Sequence, residues 1–148
     1  MTQSASNGPT PSRFVFLSEI PSLPAATKVR FLGCVVDYDS LSGRLLLEHA
    51  FPKAAQPGPH ALIDVNLILE STPSSVLERG RWVNVIGYVQ NAHQGGRKRK
   101  ATQLHNKDLP VFVQAILMWD AGPLRIADYE ATLEEQIQMH RQIERRNK

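Results

Sequence analysis

Five apolar-rich segments lie between Lys28 and Trp119, and the one stretch with helix punctuation among them falls between the third and the fourth. The first, Lys28 to Tyr38, is apolar on both parities, which is too much for a strand with one wet face, and it carries Gly33 in its middle, where a bulge or sharp bend is expected. Asp39-Ser40-Leu41-Ser42-Gly43 reads as a compact turn into a second strand, Arg44 to Phe51, making a hairpin. Prolines at 52, 57 and 59 mark a loop before a third strand, Ala61 to Leu69, whose Asp64 and Asn66 alternate with apolar neighbours. Thr72 as N-cap, Pro73 in the first helical position and Gly80 as terminator predict a short helix from Pro73 to Arg79. The fourth strand, Trp82 to Gln90, places Val83, Val85 and Val89 on one parity, expected to face inward. A long polar loop, Asn91 to Leu109, precedes the fifth strand, Val111 to Trp119.

That order, β-β-β-α-β-β, is the element order of an all-β, five-stranded OB-fold Greek-key barrel with a short helix between strands three and four. Gly33 agrees with it, because the first strand of such a barrel serves both halves and must bend sharply. An SH3-like barrel competes but lacks the obligatory helix. After Gly122-Pro123, Asp128 as cap and Tyr129, Leu133 and Ile137 at helical spacing predict a C-terminal helix over about 128–143, with acidic residues early and Arg141, Arg145 and Arg146 late, as the helix dipole favours. The charged turns beyond it are expected to fray.

At 148 residues and 42% hydrophobic content the chain supports one core, so a single domain over 13–148 is expected after a polar tail, residues 1–12. Phe14 to Leu17 begins the ordered part, as an edge strand or a plug. The leader matches neither a secretory signal nor a transit peptide, no stretch is apolar enough to span a membrane, and the single cysteine, Cys34, sits among apolar neighbours as a buried, unreactive thiol. A soluble protein of a reducing compartment is the expectation.

Catalysis is not expected. His49, His60, His93, His105 and His140 are far apart, one cysteine makes no zinc pair, and there is no phosphate-binding glycine loop, nucleophile elbow or HExxH. Asp37, Asp39, His49 and Asp64 gather as a metal site only if the barrel brings them to one end, and no metal or cofactor is expected. Nucleic acid is the alternative chemistry. The formal net charge is +3, and Arg44 with the run Arg97, Lys98, Arg99, Lys100 offers phosphate contacts, while Tyr88 offers a stacking face. Glu48 and Asp64 on the same face would repel phosphate, so weak binding by the isolated chain is expected. The basic run also reads as a nuclear localisation signal or a solvated loop. Trp82, Trp119, Phe31 and Phe112 read as core or interface residues.

Phe16-Leu17-Ser18-Glu19-Ile20, Val29 to Val35, Gly80 to Gly87 and Tyr129 to Gln136 together make the chain resemble the smallest, Ten-one type subunit of the telomere-capping CST complex in its fungal form, over roughly 14–143. The small subunit of replication protein A is similar in layout and is the alternative, as an autonomous single-strand-binding domain. The Ten-one resemblance implies a nuclear, telomeric, non-enzymatic protein in a heterodimer with a Stn-one type subunit, held largely by C-terminal helices, with a large CST subunit joining on single-stranded telomeric DNA. It does not account for the basic run. The helix stripe Tyr129, Leu133, Gln136, Ile137 and His140 is then the partner surface, and the plainer reading is that this helix covers its own barrel; one face can do each.

Overall fold

The computed structural model describes residues 10–51, 59–91 and 111–147. The polar tail, apart from its last three residues, and nearly all of the expected loop from Asn91 to Leu109, including Arg97 to Lys100, lie outside the described residues. The strands are β1 (Arg13–Phe14), β2 (Lys28–Asp39), β3 (Arg44–Glu48), β4 (His60–Asp64), β5 (Trp82–Gln90) and β6 (Val111–Asp120), followed by one α-helix, α1 (Ile126–Arg146). They pair in the order β1-β2-β3-β4-β6-β5, and β2 pairs also with β5, which closes a five-stranded barrel with β1 as an added edge. Closure removes the exposed sheet edges that an open sheet of these strands would carry.

β2 makes this possible by changing partners along its length. Lys28 to Cys34 pair with Tyr88 to Trp82 of β5, and Cys34 to Asp39 pair with Glu48 to Arg44 of β3. The changeover falls beside Gly33, whose absent side chain leaves room for Leu47; a Cβ there would lie 2.9 Å from that of Leu47. The change of partner thus falls at the expected glycine, while the register shift sits two residues on, between Val35 and Asp37. A second irregularity, between Ile86 and Gly87 on β5, was not anticipated. Gly87 is needed because a Cβ there would run into the backbone carbonyl of Gln114 on β6.

Alternation along each strand fills the interior. Val29, Phe31 and Val35 of β2, Leu45 and Leu47 of β3, Ala61 and Ile63 of β4, and Val113 and Ala115 of β6 are buried in one cluster. The valine parity of β5 joins them as expected, with Val83, Val85 and Val89 all buried. Phe14 to Leu17 prove to be both an edge strand and a plug. Arg13 and Phe14 run parallel to Val29 and Arg30, and the chain then turns into a 3-10 helix, Leu17–Ser22, whose Leu17 and Ile20 enter the core.

Four expected elements have clearly different bounds. The second strand ends at Glu48, three residues before Phe51. The third strand stops at Asp64 because its Oδ1 accepts from both the backbone N (3.0 Å) and the side-chain Nδ2 (2.8 Å) of Asn66, an Asx turn that ends the ladder. The expected helix over 73–79 is one 3-10 turn, Ser74–Leu77, preceded by another, Leu69–Ser71. Thr72 does not cap it; its hydroxyl donates back to the Ile68 carbonyl at 2.7 Å. The turn still supplies Val76 to the core, and Gly80 ends the segment at a φ of +85°. α1 begins two residues before Asp128, with Arg125 as N-cap, and remains helical to Arg146 rather than fraying near His140.

Gly87→Ala is expected to destabilise the barrel by about 2–3 kcal/mol, the usual cost of forcing atoms into a packed site. Urea unfolding measures it, and an unchanged midpoint would mean that the β5–β6 approach relaxes freely.

Candidate partner and nucleic-acid surfaces

Pairing register places the outward side chains in rows around the barrel, since directly opposed residues share a face. One row reads Tyr88, Gln114, Asp64, Arg44, Asp39 across β5, β6, β4, β3 and β2. Both expected nucleic-acid residues of the described strands therefore stand on one row, three strands or about 14 Å apart. Arg44 is opposed by a carboxylate on either side. The next row, Gln90, Phe112, Leu62, Leu46, Asp37, is half-buried and apolar in its middle, and a third carries His60, Glu48, Cys34 and Trp82, with His60 Nε2 at 2.9 Å from Glu48 Oε2. Glu48 and Asp64 both stand on these outward rows, with Arg44 and Tyr88 on that of Asp64. Asp37, Asp39, Glu48 and Asp64 would repel phosphate along these rows, whose described lysine and arginine side chains are Arg44 and Lys28, the latter opposite Tyr88 with its Nζ donating to the Thr10 carbonyl at 2.7 Å.

These acids also hold the surface together. Asp39 accepts from the backbone N of Leu41 (3.0 Å) and the Ser42 hydroxyl (2.8 Å), which lower its pKa, and Asp37 pairs with Arg79 at 3.0 Å. His49 is not near them. It is buried against α1, so the four residues considered as a metal set are not brought together, and no group of three or more potential ligands gathers among the described residues. Cys34 is half-buried rather than buried; desolvation first, then the Glu48 carboxylate, raises its thiol pKa.

The second surface is α1. Its first turns lie beside Phe14 of β1 and over His49, which follows β3. Tyr129 meets Phe14 edge-on at 5.7 Å between centroids, Leu133 is buried, and Phe14, Leu124, Thr132, Tyr129 and Leu133 line a small apolar groove. Behind them the Arg30 guanidinium is stacked between Phe14 (4.8 Å) and Trp119 (5.4 Å). Of the residues expected to face a partner, Leu133 is taken up by the chain's own barrel and Tyr129 half so, because β1 and Trp119 present an apolar shelf at the height of the first two turns. Ile137 is half-buried, whereas Gln136 and His140 are exposed. Beyond Ile137 the helix is exposed on every side. Met139 and Ile143, four residues apart and therefore on one helix face, are 62% and 53% exposed.

His49 and Glu130 join α1 to the barrel through a 2.7 Å contact, and the sequence reading gave neither this role. The burial of His49 was legible, since it continues the inward parity of Leu45 and Leu47; its partner, 81 residues away, was not. Burial also raises the Tyr129 phenol, partly offset by Arg30, and its hydroxyl has no hydrogen-bond partner. Among the described residues no helix is long and apolar enough to cross a membrane.

Because the Tyr129 hydroxyl is desolvated without a partner, Tyr129→Phe is expected to leave stability unchanged or raise it by about 1 kcal/mol, while Leu133→Ala costs about 2–4 kcal/mol. Thermal unfolding of the two variants compares them, and a Tyr129→Phe loss as large as that of Leu133→Ala would show that the hydroxyl is satisfied. Cys34 is expected to alkylate with iodoacetamide at pH 8 more slowly in the folded chain than in guanidinium, because a raised pKa leaves less thiolate; equal rates would contradict its shielded position.

No curated protein sequence matches this chain at a significant level. Among solved structures, a chain of the S. pombe Stn1–Ten1 complex superposes with a TM-score of 0.63 at 19% identity, covering 88% of this chain and 96% of that one. The telomere-capping protein Ten1 from S. pombe superposes at 0.62 with 19% identity, covering 86% and 99%. Replication protein A of U. maydis, solved bound to single-stranded DNA, gives 0.54 at 14% identity, covering 86% and 90%. These likenesses carry the OB fold, which the barrel topology already shows. The family model of Ten1, described as a telomere-capping subunit of the CST complex, matches residues 1–134, and the chain belongs to that family of telomere-capping CST subunits.

Proposed function

We propose that this subunit works without catalysis, as a nuclear partner module at telomeres that forms a heterodimer with a Stn1-type subunit through the outer part of α1 and, with the large CST subunit, supports the hold on single-stranded telomeric DNA. The observation that carries the reading is the division of α1. Its first turns are seated on the barrel, and the following turns expose Met139 and Ile143 beside Gln136 and His140, an apolar stripe with a polar rim. The solved S. pombe Stn1–Ten1 neighbour supports this choice of partner. Tyr129 and Leu133 contribute to it chiefly by seating the helix.

The DNA contribution of the lone chain is weak. Arg44 is flanked by Asp39 and Asp64 in register, and the cation directly opposite Tyr88, Lys28 of β2, donates from its Nζ to the Thr10 carbonyl at 2.7 Å. The two described cations of this row are thus offset by carboxylates or engaged with the chain itself rather than with phosphates beside a stacked base. Arg97, Lys98, Arg99 and Lys100 are the complementary candidates for phosphate contact, acting in the assembled complex.

Met139→Glu with Ile143→Glu is expected to abolish co-purification with the Stn1-type partner while leaving the thermal midpoint of the lone chain within a few degrees, since both side chains are exposed. The isolated chain should bind single strands no tighter than the non-specific range of about 10⁻⁴–10⁻⁶ M, with charge reversal at 97–100 lowering the affinity and salt slope of the assembled complex. Tight, steeply salt-dependent binding by the lone chain, together with no heterodimer, would replace this reading with an autonomous single-strand-binding module of the replication protein A kind.

A further inference from the structure

α1 leaves the barrel after Gly122, which takes a left-handed φ of +67°, and its seat is mostly apolar. Packing of Tyr129 and Leu133 holds the helix down but is not directional, so it permits the helix to roll or tilt by some degrees at little cost. Among the described residues one side-chain hydrogen bond ties α1 to the barrel, and it is buried. His49 Nε2 lies 2.7 Å from Glu130 Oε2, with the side chains 2% and 19% exposed. A carboxylate only accepts, so Nε2 carries the hydrogen and His49 donates. The imidazole is boxed by Phe16, Phe51, Trp82 and Tyr129, with ring centroids 5.3 to 6.4 Å away, and its Nδ1 has no partner.

An imidazole with one orphaned nitrogen in an aromatic box is a poor device for stability, since an apolar ring would fill the same space without leaving a polar atom unpaired. What it supplies that an apolar ring does not is direction. A hydrogen bond fixes a vector, and Glu130 is reached by His49 at one rotation of α1 about its axis and not at the rotation one residue away. The consequence grows along the helix. Ile143 lies thirteen residues beyond Glu130, about 20 Å at 1.5 Å per residue, so a tilt of about 20° at the seat displaces it by about 7 Å.

We propose that His49 and Glu130 are positioning residues, whose hydrogen bond sets the rotation and tilt of α1 and so presents Met139 and Ile143 to the protein partner. The inference rests on the partner reading for its purpose, but the geometry it asserts is measurable without any partner. In the full chain with Cys34→Ser, spin labels at Leu41→Cys on the barrel and Arg141→Cys on α1 report the helix direction by electron spin distance measurement. The parent chain is expected to give one narrow distribution, Glu130→Ala a shifted or broadened one, and Glu130→Gln, whose carbonyl still accepts from His49, the parental one. Alanine sustains the helix, and a cooperative thermal transition retained well above the measuring temperature separates loss of direction from loss of fold. Heterodimer affinity for a Stn1-type partner should fall on the order of tenfold in Glu130→Ala, the loss of one charge-assisted hydrogen bond, and recover in Glu130→Gln. A Glu130→Ala distribution identical to the parental one overturns the proposal whatever the partner does. Broadening without loss of affinity overturns the link to capture, whereas failure of the parent chain itself to bind the partner counts against the partner reading and leaves the distance result standing.

Discussion

The barrel depends on one strand satisfying two neighbours. β2 donates and accepts along its first half with β5 and along its second half with β3, and without that exchange the sheet would be an open ribbon with two unpaired edges. Gly33 makes the exchange sterically possible by giving its side-chain space to Leu47. Closure then determines what faces out, because the in-and-out alternation of every strand is locked to the same register. Arg44, Asp39 and Asp64 are neighbours for that reason, although they lie on three strands.

This has a consequence for electrostatics. OB barrels offer nucleic acid their strand face and the loops beside it. Here the carboxylates on that face also build the turns: Asp39 holds the β2–β3 connection and Asp64 ends β4. Exchanging them for cations would improve phosphate affinity and at the same time dismantle the turns that shape the face. A subunit built in this way gains from a partner that brings the positive charge, and the outward stripe on α1 offers a means of acquiring one.

α1 is attached by two kinds of contact with different roles. Leu133, Tyr129 and Phe14 remove apolar surface from water, and Arg30 between Phe14 and Trp119 extends the shelf on which they lie. The His49–Glu130 pair adds a directional contact at the same seat. The barrel covers Leu133 and part of Tyr129 at the seat, and the large apolar side chains that α1 leaves exposed, Met139 and Ile143, lie further along the helix.

The sequence by itself determined the fold class, since strand alternation, turn chemistry and the punctuation around Pro73 and Gly80 are local properties that survive without tertiary context. β5 was readable to the residue because Val83, Val85 and Val89 share one parity between Gly80 and the polar run after Gln90, and the family was readable from scattered short runs. Local patterns misjudged the elements whose ends depend on side-chain hydrogen bonds. Asp64 stopped a strand that hydrophobicity alone would have carried to Leu69, and Thr72 bonded backwards to Ile68 instead of capping a helix. Only the tertiary structure decided which face of α1 is free, that His49 meets Glu130, and that Arg44 stands between two carboxylates. Those facts depend on register and on contacts between residues tens of positions apart, and a periodicity of two or of 3.6 carries no information about which distant residue arrives opposite.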